Sequence, residues 1–443
     1  MGYGKIQGRK PFERASKIAH TEILNNPDVQ EFVSACTLPS APPGALLAEL
    51  QQALPTSERR IQSVIAVDGG MTEASVRKEF PSASVAFLTF GPLMLDLKDL
   101  GELDRQTFIG PEDMAVLKNL QRYSLVLPAK AVRAPGSPSF VAGVRKTIHS
   151  FMADKHADLV QALQWLLFRE WLPDVDRERW SIPVCPSCAT AGKSTEFRSG
   201  GPIVNQCSSC GAEIYISDSL RLYERVDEEQ GAGGIMAYLL TTLEQLVIVH
   251  IIRSVLKLKP AALREVLLIR DGPLAFFGVV APLRKPMLEL MAYLADKDNG
   301  KPSICLVGLE KSGSFVEHAA LIAEQLKPSH YVMLDNEYIY KYIQPGDPTG
   351  QAFGFNTYYG AKLLFKSSRG DVYVATLPTR RHLPAPKLFD LFNAPEVLTV
   401  VGELRCSMYD NALLPVVLAN RLVSLADVPS AEILARFARK MVK

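Results

Sequence analysis

Two short strings constrain this chain most: Ala66-Val67-Asp68-Gly69-Gly70 and Ile269-Arg270-Asp271-Gly272-Pro273-Leu274 each place an Asp-Gly at the end of an apolar run. Residues 64–67 and 266–269 are short and rich in branched aliphatics, which predicts interior strands of a sheet covered on both faces. A carboxylate at such a place needs a partner. Ligands of covered sheets collect beyond the carboxyl ends of the strands, so two aspartates there point to one shared divalent cation, magnesium or manganese. Asp-Gly is also a common turn signal, and either string alone reads more readily as a plain turn. A third apolar run, 303–308, then delivers Glu310, Lys311 and Ser312. Its lysine precedes the second glycine, so the order is not that of a phosphate-cradling nucleotide loop.

At 443 residues, 47% of them apolar and 22% charged, the chain has the balance of a folded protein of two or three domains. Its net charge of +2 gives no global basic signal for nucleic acid. The most apolar stretch, 235–256, holds Glu244, His250 and Arg253, which reads as a buried helix and not a membrane span. Lys5, Arg9, Lys10, Arg14 and Lys17 are followed by no apolar segment, so no secretory signal is expected. A cytoplasmic location follows, and the cysteines fit it: four are paired as Cys-x-x-Cys, while Cys36, Cys305 and Cys406 are isolated.

Residues 1–60 read as a helical amino-terminal arm broken at Ala41-Pro42-Pro43-Gly44. Residues 61–175 begin the sheet, with further strands at 84–90, 93–97 and 123–127, and end in an amphipathic helix over 145–171. Residues 176–218 carry the cysteine pairs and look inserted. Residues 219–443 resume with a strand-like pattern at 220–226, then alternate helix and strand through the Asp271 and Lys311 runs. A hairpin over 358–366 and 371–377, a strand at 397–404 and helices from about 412 and 430 complete the reading.

Cys185-Pro186-Ser187-Cys188 and Cys207-Ser208-Ser209-Cys210 are separated by 18 residues, a spacing suited to two knuckles presenting four thiolates to one Zn²⁺. Four thiolates leave no open position, so this zinc is expected to be structural. Lys193, Arg198, Arg177 and Arg179 could meet phosphate or simply form a solvated face.

On Val67-Asp68-Gly69, Arg270-Asp271-Gly272-Pro273-Leu274 and the Lys311 turn, the chain resembles the NurA nuclease family over roughly residues 60–430, with the zinc ribbon as an insertion. The resemblance implies a ribonuclease H-like α/β core, a mixed sheet flanked by helices. It makes Asp68 and Asp271 metal-binding carboxylates, completed by a glutamate from the intervening helix. Glu244 is the choice, with Glu170 and Glu265 behind it. A tyrosine and a histidine of the family fall at Ala412 and Asn420. Asn420 or Asp410 would then supply oxygen, and Tyr359 or Tyr409 the aromatic ring. The implied activity is DNA phosphodiester hydrolysis with two Mn²⁺ or Mg²⁺ ions bridged by Asp68, Lys311 binding the scissile phosphate. The implied partners are DNA, a second copy in a homodimer and a hexameric HerA-type ATPase, in end processing or defence against foreign DNA. Two other readings stand beside it: an inactive scaffold that binds DNA or the ATPase through the zinc ribbon, and guided cleavage of the Argonaute kind.

Overall fold

The structure is a computed structural model and describes residues 18–77, 79, 82–98, 121–172, 179–296, 303–406, 412–425 and 430–441. Among these, nine strands form one mixed sheet: β1 (Gln52–Ala53), β2 (Ser63–Arg77), β3 (Ala83–Asp96), β4 (Tyr123–Lys130), β9 (Val266–Asp271), β10 (Cys305–Glu310), β11 (His330–Met333), β12 (Gly360–Lys366) and β13 (Val372–Pro378). Their spatial order is β1-β11-β12-β13-β10-β9-β2-β3-β4. Only β9 runs parallel to its neighbours on both sides, β2 and β10. The remaining strands, β5 (Arg179–Val184), β6 (Ala191–Arg198), β7 (Val204–Gln206) and β8 (Glu213–Tyr215), make two separate hairpins around the cysteines.

Helices cover the centre of the sheet on both faces. On one side Val67, Leu268 and Leu306 share a core with Leu163 and Leu243 of the helices Ala157–Phe168 and Met236–Leu258. On the other, Val64, Ala66, Ile269 and Leu309 pack with Val397, Leu398 and Val401 of Ala394–Glu403 and Val416 and Ala419 of Leu414–Val423. Strand side chains alternate between faces, so this division also fixes where the polar residues that follow must point. The apolar helix Met236–Leu258 lies mostly inside the fold.

Several elements differ from the sequence reading for identifiable reasons. β2 does not stop at Asp68; it continues to Arg77, paired antiparallel with β3. Gly69 and Gly70 are therefore extended residues and not a turn. The runs 84–90 and 93–97 are one strand, because Pro92 lies beyond Phe90, the last β3 residue paired with β4, where its missing N–H interrupts no ladder. Residues 397–404 are helical: the apolar positions Val397, Leu398, Val400, Val401 and Leu404 follow a helical period, with Pro395 in the first turn. Residues 220–226 form 3-10 turns about Arg221, whose φ is 56°. The helix expected over 145–171 is two, Phe140–Ser150 and Ala157–Phe168, joined through a π turn at Phe151–Lys155. Residues 52–53, in the amino-terminal arm of the sequence reading, add the edge strand β1 beside β11.

Candidate active site

The parallel ladder between β2 and β9 ends with Val67 opposite Arg270. The next residues, Asp68 and Asp271, therefore stand side by side where the two strands part. Asp68 follows Ala66 by two and Asp271 follows Ile269 by two, so both carboxylates rise on the face covered by Leu414–Val423. Arg270, two after Leu268, points to the opposite face, toward Met236–Leu258.

Asp68 is buried, 3% exposed. Its Oδ1 accepts the Gly69 N–H at 2.8 Å, and its Oδ2 is buried with no partner among the described residues. Burial and the neighbouring Asp271 raise its pKa to about 6, against the opposing pull of Lys311, the Gly69 N–H and the Asn420 side chain. Asn420, on Leu414–Val423, is thus at this carboxylate. On Asp271, Oδ2 accepts a hydrogen bond from Lys311 Nζ at 2.7 Å, with the lysine side chain 40% exposed.

Glu244 enters from the opposite face. It is buried and raised to about 8, first by loss of solvent, then by Asp68 and Asp271, with Arg270 and Lys311 opposing. Its Oε2 lies 3.9 Å from Arg270 Nη2. It passes over Gly69, where an added Cβ would meet Glu244 Oε1 at 2.8 Å, Leu240 Cδ1 at 2.6 Å and Phe90 Cβ at 2.9 Å. Gly70 is pressed against the Val423 carbonyl from the other side. The Gly-Gly pair is thus where two helices close on one strand.

Asp68, Asp271, Lys311 and Asn420 come together on one face, and Glu244 reaches them electrostatically from the other. Glu170 and Glu265 do not join: Glu170 accepts from Ser199 at 3.1 Å and Glu265 lies 3.8 Å from Lys259. Tyr359 is fully buried and donates to Gln245 Oε1 at 3.0 Å, a structural bond one residue beyond Glu244. Asp410 and Tyr409 lie outside the described residues. Sequence reasoning missed Arg270 as a site member, although it stands inside the Arg-Asp-Gly-Pro string; its signal was the position two after Leu268, which aims it at the helix bearing Glu244. It also missed the buried pair Glu310–Lys362 beside the Lys311 turn, where Lys362 Nζ is 2.5 Å from Glu310 Oε1 and 3.4 Å from the centre of the Phe315 ring.

A hard divalent cation suits this donor set. Two carboxylates share a face, one has a buried oxygen with no partner among the described residues, and desolvation with the neighbouring Asp271 disfavours the charge on Asp68, which a cation would offset. Their donor atoms are not gathered about one point, and Arg270 and Lys311 engage Glu244 and Asp271. Among the described residues only Cys185, Cys188, Cys207 and Cys210 are so gathered, with all four sulfurs within 4.8 Å of one another. Cys185–Cys210 and Cys188–Cys207 are each 3.9 Å apart. That approaches the edge of about 3.8 Å for a tetrahedron with zinc–sulfur bonds of about 2.3 Å. The Ser187 and Ser209 N–H groups each point at the first sulfur of their knuckle at 3.4 Å. Thr190 draws the Cys188 thiol down to about 6 and backbone N–H groups lower Cys207. Burial raises Cys185, and against a backbone N–H, burial and the neighbouring sulfurs push Cys210 up to about 11, so the four do not all ionise without a cation.

The sequence matches no protein-family model and no curated protein. Among solved structures the chain is similar to the NurA nuclease from Sulfolobus solfataricus at a TM-score of 0.34 and 8% identity, covering 96% of this chain and 94% of that one. It is also similar to NurA bound to dAMP and manganese, at 0.26 and 12% identity over 95% of each chain, and to NurA with manganese, at 0.27 and 13% over 96% and 97%.

Proposed function

We propose that this protein is a metal-dependent DNA nuclease with a ribonuclease H-like core, hydrolysing phosphodiester bonds at Asp68, Asp271 and Glu244. The observation that carries the reading is the meeting of Asp68 and Asp271 on one face, where their strands part and the Asp68 Oδ2 is buried with no partner among the described residues. Mn²⁺ or Mg²⁺ held by these carboxylates would supply a Lewis acid and an activated water. Asp68 and Asp271 bind; Asn420 helps keep Asp68 ionised. Lys311 shields Asp271 and, being partly exposed, can turn its ammonium to a scissile phosphate. Glu244 completes the set from the opposite face, buried over Gly69. The four cysteines hold a structural Zn²⁺.

The nuclease would work as a homodimer with a hexameric HerA-type ATPase. A motor that feeds DNA removes the need for a basic surface, in keeping with the net charge of +2. One observation favours the scaffold reading instead: Arg270 and Lys311 already engage two of the three carboxylates.

One experiment separates them. Purified protein is incubated with labelled single- and double-stranded DNA in Mn²⁺, Mg²⁺ or EDTA, beside an Asp68→Asn, Asp271→Asn variant. Metal-dependent cleavage lost in the variant supports the nuclease. No cleavage, even after the ATPase is added, supports the scaffold.

A further inference from the structure

Arg270 is 2% exposed and sits at the join of three parts of the site. Its Nη1 donates to the Pro273 carbonyl, folding back across the turn that follows Asp271. Its Nη2 faces Glu244 Oε2 at 3.9 Å, on a different element 26 residues earlier in the chain. Two glycines make the room. Gly272, at φ +105°, would bring a Cβ to 3.0 Å from Arg270 Nη1, and Gly69 would bring one to 2.8 Å from Glu244 Oε1. Both sides of the ion pair are therefore seated over gaps in backbone that any side chain would close.

We infer that Arg270 is a positioning residue: one guanidinium fixes the Asp271 turn and the Glu244 carboxylate relative to each other, setting the spacing of ligands that come from opposite faces of the sheet. This rests on the metal-dependent reading above. It also explains the Arg-Asp-Gly-Pro string as one device, in which Asp points to one face while Arg, freed by Gly, reaches the Pro carbonyl on the other. A planar guanidinium can bond one acceptor, the Pro273 carbonyl, while another of its nitrogens faces the Glu244 charge at 3.9 Å, a division of roles that a single ammonium cannot make.

The test has a sharp sign. A fixed positive charge beside metal ligands repels a divalent ion, so charge alone predicts tighter binding when Arg270 is removed. Positioning predicts the reverse. Mn²⁺ binding to the full-length protein is followed by the electron paramagnetic resonance signal of free Mn²⁺, for wild type, Arg270→Met, Arg270→Lys, Glu244→Gln and the Arg270→Met, Glu244→Gln double variant. Thermal unfolding and zinc content verify each fold. Arg270→Met should weaken Mn²⁺ binding about tenfold, the size expected for an outer partner of a metal ligand. Arg270→Lys should recover part of it, and Arg270→Met should add little in the Glu244→Gln background. Unchanged or tighter binding in folded Arg270→Met, or an equal loss in both backgrounds, overturns the role. Wild type that binds no more Mn²⁺ than the Asp68→Asn, Asp271→Asn variant overturns the proposed function, and this role with it.

Discussion

The Glu244 carboxylate lies across Gly69 so closely that a Cβ on that glycine would stand 2.8 Å from Glu244 Oε1. Gly69 is extended and paired with Phe90, so its value is space and not backbone freedom. Gly69→Ala should therefore displace Glu244 and Leu240, at about 1–3 kcal/mol of stability by overpacking. Thermal unfolding and Mn²⁺ titration check it together. Loss of stability with full Mn²⁺ affinity would remove Glu244 from the ligand set.

Asp68 should cost the protein stability that its function requires. Burial raises its pKa from 3.8 to about 6, so the folded state holds its proton more tightly than the unfolded chain does. Stability from this group is full below pH 4 and is lost as pH rises to about 6, with Glu244 extending the loss toward 8. At pH 7, without added Mn²⁺ or Mg²⁺, Asp68→Asn should stabilise the fold by up to about 3 kcal/mol, each tenfold difference in proton affinity between the folded and unfolded chain being worth about 1.4 kcal/mol. The same variant should lose cleavage and any stabilisation by Mn²⁺. A destabilised Asp68→Asn would show that the carboxylate is held charged by a partner.

What the sequence made legible was what depends on local pattern. The strand of residues 266–271, the hairpin of 360–378 and the long buried helix carry clear periods, and the cysteine spacing is geometry written in order. The continuation of β2 past Asp68 was not legible, because Gly-Gly serves turns and close approaches alike, and only the helices packed on either side decide which. The strand expected at 397–404 failed on period: apolar residues dense enough to fill a helix face also resemble a buried strand. Arg270 was hidden for a third reason. Its place two after Leu268 tells which face it points to, but its partner, Glu244, lies on another element, so no spacing in the chain announces which residue it meets.

Lys311 should act in opposite directions on metal affinity and on cleavage. Its ammonium bonds Asp271 Oδ2 at 2.7 Å, so a cation arriving at that carboxylate competes with it. Lys311→Met should tighten Mn²⁺ binding about threefold to tenfold, a partly exposed charge being worth about 1 kcal/mol. Cleavage at saturating Mn²⁺ should nevertheless fall, because the phosphate loses its point charge. Titration and single-turnover cleavage of the same preparation read both, and movement of the two together would assign Lys311 to metal binding alone.

The cysteine ribbon is not a free appendage, and the zinc proposed for it should matter to the whole fold. Ile182, Phe197 and Ile214 lie in the same core as Leu163 and Leu243. Arg145, 5% exposed on the helix Phe140–Ser150, clamps the ribbon: it holds Asp218 by Nε at 2.9 Å and Nη2 at 2.6 Å, the Glu213 carbonyl at 2.8 Å and Ser187 of the first knuckle at 3.3 Å. Cys207→Ser, Cys210→Ser should release zinc and lower the melting temperature of the entire protein, with amide protection lost over 179–215 and along Phe140–Ser150. Arg145→Met should keep the zinc yet cost about 3–5 kcal/mol, because it leaves the Asp218 carboxylate buried without its cation. Zinc content, melting and hydrogen exchange measured on both variants distinguish metal from clamp. Unchanged melting after zinc loss would make the ribbon an independent module.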